Sequence, residues 1–137
     1  MTVDINALCM TFLLFINQDA MYEEVNVCPD IQVMPVKELQ LLACNGAECP
    51  VQAYYDRQAK AVYLSRELDL DYSYDRSILL HELVHYVQDI NDKWEEDINE
   101  CRSAIRREWN AFIMQEKYLL EKNIRIPVSR QLSFYRC

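Results

Sequence analysis

Ser77-Ile78-Leu79-Leu80-His81-Glu82-Leu83-Val84-His85-Tyr86-Val87-Gln88 is the stretch from which this chain reads most directly. Its apolar residues Ile78, Leu79, Leu80, Leu83, Val84 and Val87 occupy several sides of a helical turn, which predicts a largely buried helix. That helix should start near Asp75 or Ser77 and run to about Ile90. In its middle stand His81 and His85, the only two histidines of the chain. Residues four apart lie one turn apart on one helix face. Both imidazoles can therefore reach a single metal ion at about 2.0–2.1 Å. Polar groups in so apolar a segment are expensive to bury unless something binds them. Glu82, beside the first histidine, can take a proton from a water at the ion without ligating the ion itself.

A zinc ion needs a third protein ligand if the fourth position is to stay open for water. With no third histidine, a cysteine, aspartate or glutamate has to supply it. A second long helix, predicted over roughly residues 97–122, carries an apolar stripe of Cys101, Ala104, Ile105, Ala111, Phe112 and Leu119. At about 100° per residue, Glu108 falls in the centre of that stripe. A carboxylate there has to be neutral, paired with a cation such as arginine, or bound to metal. Glu100 and Glu116 lie nearer the stripe's edges. Gln115, two turns beyond Glu108, shares its face and can serve as a hydrogen-bond partner of a ligand. Asp89, Asp92, Glu95, Glu96 and Asp97, at the end of the motif helix or in the connection, read as solvated charges. Arg102, Arg106, Lys117 and Glu121 fall on the opposite face of the second helix, and Arg102, Arg106 and Arg107 read as a solvated basic cluster.

Outward from the helix pair, residues 4–18 read as a helix with Ile5, Leu8, Cys9, Phe12, Leu13 and Ile16 at helical spacing. Residues 31–34 read as a short strand, and Pro35 can open a helix reaching about Cys44. Residues 51–55 and 61–65 flank a polar stretch and form a hairpin. Residues 66–75 are a loop, and Pro127 makes the tail irregular. The fold expected is therefore α+β, a small antiparallel sheet packed on helices. The 137 residues fit one domain, 1–137, and the single glycine argues against turn-rich sandwiches and barrels.

A formal net charge of −8 makes the chain a poor partner for nucleic acid, since phosphate contacts need clustered Lys and Arg. Six cysteines suggest disulfides and an oxidising compartment, periplasmic or secreted. Cys44 and Cys49 flank a turn and can pair locally, and Cys101 can tie its helix to the tail through Cys137. A four-cysteine metal site is disfavoured because no Cys-x-x-Cys pair occurs. The apolar run 9–16 is too short to span a bilayer and lacks the positive flank of a signal peptide. The expectation is an exported chain whose leader is absent from this sequence.

His81-Glu82-Leu83-Val84-His85 followed by Glu108 resembles the gluzincins, whose zinc is held by two histidines and a glutamate on the next helix. The resemblance covers roughly residues 51–122. It implies one zinc ion on His81, His85 and Glu108, Glu82 as catalytic base, and hydrolysis of peptide bonds in a peptide or protein substrate. It also implies an edge strand on which an extended peptide docks, here residues 61–65. The chain departs from larger gluzincins in having no downstream histidine to stabilise an oxyanion, which leaves a tyrosine or arginine for that task. The alternative function is a zinc-binding module on the same scaffold with little or no turnover.

Overall fold

The computed structural model describes residues 3–91 and 100–137. In chain order the elements are α1 (Ile5–Asn17), β1 (Asp30–Met34), α2 (Val36–Ala43), β2 (Ala53–Asp56), β3 (Ala61–Ser65), α3 (Ser73–Ile90) and α4 (Glu100–Glu121), then a 3-10 segment Val128–Phe134. The class is α+β, as expected. Asp92, Glu95, Glu96 and Asp97, and the first residues of the predicted second helix, lie outside the described residues.

Local chemistry explains most of the boundaries. Asp4 caps α1, its Oδ1 accepting from the N–H groups of Asn6 and Ala7 at 3.0 and 3.2 Å. Pro35 precedes α2, where its missing N–H costs nothing. Gly46, at φ 85°, supplies the left-handed turn after α2 that the Cys44–Cys49 disulfide closes. The tail is more regular than expected: Pro127 permits a short 3-10 segment, and Val128 is buried.

The sheet is mixed, in the order β1-β3-β2. The β2–β3 hairpin is antiparallel as predicted, with Tyr54 opposite Tyr63, while β1 adds in parallel, with Gln32 opposite Tyr63. Two expectations about the sheet are corrected. It is mixed rather than antiparallel throughout. Residues 61–65 are the central strand, not a docking edge, and every position of β3 is buried. Val62 and Leu64 join the main core, while Ala61 and Tyr63 pack with Met34 and Leu39 on the α2 side. A strand covered on both faces tends to be paired on both edges as well, and its unbroken apolar run is the sign of that.

α3 runs through the middle of the molecule. Leu79, Leu80, Leu83, Val84 and Val87 are all fully buried, each contributing about 1.5–3 kcal/mol of apolar burial. α4 lies along one side of α3, and α1 reaches both. Phe12 and Phe15 meet the Tyr118 ring edge-on at centroid distances of 5.2 and 6.1 Å. Cys9–Cys28 ties α1 to the segment before β1, and Cys101–Cys137 ties α4 to the tail. No helix among the described residues is long and apolar enough to cross a membrane.

Two charges expected in solvent are buried. Asp89 has a side chain only 3% exposed. The hairpin turn folds over the end of α3 and delivers three partners. Tyr55 donates to Asp89 at 2.6 Å and Arg57 at 3.0 Å, and Lys60 forms an ion pair with it. Lys60 adopts φ 52° to do so. Arg107 is also buried, its Nη2 3.0 Å from Glu100. Burial alone would raise the Asp89 pKa. The hydrogen bonds from Lys60, Tyr55 and Arg57 outweigh it and hold the carboxyl below its ordinary range. The stabilisation is therefore full above the unfolded-state pKa of about 3.9 and is lost as pH falls through the lower folded value. Asp89→Asn should lower stability at neutral pH by about 1–3 kcal/mol, less than a fully buried pair because Arg57 and Lys60 are half in water. Thermal melts of both proteins should converge as pH drops below about 3.9; a constant gap down to strong acid would contradict this.

Candidate metal centre

His81 and His85 project from the buried middle of α3 towards α4, and Glu108 answers from the facing side of α4. The two Nε2 atoms are 3.2 Å apart. Glu108 reaches both, with Oε2 3.0 Å from His81 Nε2 and Oε1 2.7 Å from His85 Nε2. Among the described residues this is the group of side chains whose donor atoms could hold a metal ion. Phe112 lies against the His81 ring at a centroid distance of 4.5 Å and closes one side.

The outer hydrogen bonds determine which ring nitrogens carry protons. Gln88 donates its amide nitrogen to the Arg107 carbonyl at 3.1 Å and to the Tyr22 hydroxyl at 3.2 Å. A carbonyl can only accept, so the Gln88 amide has one orientation, with its oxygen 2.9 Å from His85 Nδ1. His85 must donate from Nδ1. The same logic holds for His81. Ser77 donates its hydroxyl to the Tyr74 carbonyl, so it accepts from the Gln115 amide nitrogen at 3.0 Å. The Gln115 oxygen is then 3.0 Å from His81 Nδ1, which donates to it. In the neutral imidazoles both Nε2 lone pairs thus point at each other and at a carboxylate.

Acceptors crowded this way repel unless a cation lies between them. Their protonation shows the same tendency. Burial opposes charge on His85, but the hydrogen bond and negative charge of Glu108 overcome it and push the imidazole up to about 9. Burial would likewise raise Glu108, yet its hydrogen bonds with His81 and His85 hold it far below the usual carboxylate range. The donor set also fits a tetrahedral ion by size. Bonds of about 2.0–2.1 Å at tetrahedral angles put ligand atoms about 3.3 Å apart. That is slightly wider than the 2.7–3.2 Å spacings here, so a small outward adjustment of the side chains would admit the ion.

The group opens into a cleft of about 280 Å³, which His81, Glu82 and Glu108 share with Tyr74, residues 50–53 and, from the tail, Gln131 and Tyr135. A larger depression of about 610 Å³, between α1 and residues 71–76, brings together no comparable donor set; chemistry rather than size selects the site. The Tyr135 phenol has its pKa raised, first by burial and then by the charges of Glu108 and Glu82. Glu100 and Glu116, the weaker ligand candidates, are engaged elsewhere, Glu100 with Arg107 and Glu116 with Ser129. Cys101 is in a disulfide. Gln115 holds the expected place behind His81. Sequence reasoning missed Gln88, although its position three residues after His85 on a buried helix was a readable signal. Tyr135 and residues 50–53 carried no local signal.

A family model described as "Domain of unknown function (DUF6647)" matches residues 2–132, and the chain belongs to that family. No curated protein and no solved structure matches it.

Removing the outer partners should weaken metal binding without touching a ligand. Gln88→Leu and Gln115→Leu should each lower the affinity for a divalent metal ion by about 10–100-fold, measured by competition with a chromophoric chelator. Gln88→Leu should also lower the melting temperature more, because it removes the Gln88 hydrogen bonds to the Arg107 carbonyl and the Tyr22 hydroxyl, which link α3 to α4 and to the segment after α1. Unchanged affinity in both variants would refute the tautomer argument.

Proposed function

We propose that this member of the DUF6647 family is a zinc-dependent peptidase of gluzincin type, with zinc on His81, His85 and Glu108 and with Glu82 as general base. The observation that supports it best is the convergence of two Nε2 lone pairs and one carboxylate within hydrogen-bond distance of one another. Two imidazoles and a carboxylate, with a fourth position left for water, are a donor set of catalytic zinc sites. Zinc held by His81, His85 and Glu108 would supply Lewis-acid chemistry and make a nearby water more acidic.

The remaining work falls to the chain's own side chains. Glu82 lines the cleft beside His81 and Glu108; it accepts the proton of the attacking water and can return it to the leaving amine. The docking strand is β2 rather than residues 61–65. β2 lies at an edge of the sheet, and residues 50–53 form a wall of the cleft. An extended peptide added there is held by main-chain hydrogen bonds, which favours tolerance of substrate sequence. Three disulfides fit an oxidising compartment, and we place the protein in a periplasm or outside the cell.

Two glutamates near one ion should behave differently. Glu108→Ala should lose zinc and lower the melting temperature, because it removes a ligand. Glu82→Gln should keep zinc and stability and lose about two to four orders of magnitude in peptidase rate on a broad peptide library. Full zinc and full rate in Glu108→Ala would place the third ligand elsewhere. A wild-type rate no faster than that of Glu82→Gln, with zinc bound, would favour a binding module over an enzyme.

A further inference from the structure

The cleft contains metal-ligand candidates and a base, but hydrolysis of an amide also needs a donor aimed at the oxygen that gains charge. Gln115 is committed to holding His81, its oxygen accepting from the imidazole and one N–H donating to Ser77. Tyr74 packs against the hydrophobic core. The tail supplies the remaining tyrosine. Cys101, Glu108 and Gln115 follow one another at seven-residue steps, so they lie on one stripe of α4. The tail runs back along that helix between two anchors. At one end Ser129 donates its N–H at 2.7 Å and its hydroxyl to Glu116, beside buried Val128. At the other end Cys137 is bonded to Cys101, with Cα atoms 5.7 Å apart. Glu108 lies midway between Cys101 and Glu116, and Tyr135, two residues before the disulfide, lines the cleft at that level.

We propose that Tyr135 is a further catalytic residue, its phenol donating a hydrogen bond to the substrate carbonyl oxygen as that oxygen gains charge, and that the Cys101–Cys137 disulfide positions it. This rests on the peptidase reading above. The phenol stays protonated throughout; the scissile C–N bond breaks and the water's proton passes through Glu82. Tying the tail covalently to the ligand-bearing helix fixes the donor relative to Glu108, which a largely exposed tail, with Val128 as its buried residue, could not do through packing alone.

The test uses the full chain loaded with zinc. Tyr135→Phe should lower kcat about 100-fold with little change in KM, zinc content or melting temperature. The Cys101→Ser/Cys137→Ser double variant should lose kcat to a similar degree while keeping zinc. A second readout does not depend on turnover. Adding zinc to the metal-free chain should perturb the near-ultraviolet tyrosine spectrum, and Tyr135→Phe should remove a distinct part of that change. Unchanged kcat in Tyr135→Phe, with Glu82→Gln inactive, overturns the role of Tyr135 and leaves the peptidase reading standing. A raised kcat makes the tail an obstructing lid and also overturns it. If the wild type shows no turnover, the peptidase reading fails and the catalytic role of Tyr135 fails with it; the zinc-induced spectrum then decides whether Tyr135 faces the ion at all.

Discussion

Gln88 spends its amide nitrogen on the Arg107 carbonyl and on Tyr22, and this leaves only an oxygen for His85. Gln115 is constrained in the same way through Ser77. These two buried amides set both tautomers, and the tautomers turn three side chains into a cluster of acceptors that asks for a cation. The constraint spans α3 and α4, so it also sets how the two helices meet. A shift of one helix along the other would break the Gln88–Arg107 bond and separate Glu108 from the histidines together. Buried polar networks are costly when half satisfied, which is why the core around this one has to be rigid.

The rest of the fold supplies that rigidity from several sides. α3 is buried against the sheet, α1 and α4, so its apolar residues do not form the single stripe of an ordinary surface helix. At its C-terminal end the hairpin turn clamps Asp89 with Tyr55, Arg57 and Lys60. The clamp joins β2, the proposed docking strand, to the helix that carries both histidines. Three disulfides then tie down the parts with least packing of their own: the start of the sheet, the turn before β2 and the tail beside the cleft. A chain of this length buries only about two-thirds of its unfolded surface, and such bonds add what a modest core lacks.

Much of this was legible in the sequence, because it depends on spacing along one helix or on chemistry within a few residues. The i, i+4 histidines, the place of Glu108 and Gln115 on one face, the hairpin, and the Cys44–Cys49 turn are of that kind. Cys101–Cys137 was legible as a possibility only. The burial of Asp89 and Arg107 was not. Charge marks a residue for solvent unless a partner arrives from elsewhere, and here the partner of Asp89 comes from a hairpin some thirty residues earlier.

The sequence by itself determined the class of elements and which side chains share a helix face, with Glu108 the leading candidate to meet the histidines, since helical periodicity places each of them on its own helix without reference to the rest of the chain. Tertiary structure alone decided which strand is central, which edge faces the cleft and which tyrosine stands over it. Strand order depends on β1 joining β3 in parallel from thirty residues away, and the position of Tyr135 depends on a disulfide to the far end of α4. Such pairings are selected by the free energy of the whole packed chain, and no local pattern of residues encodes them.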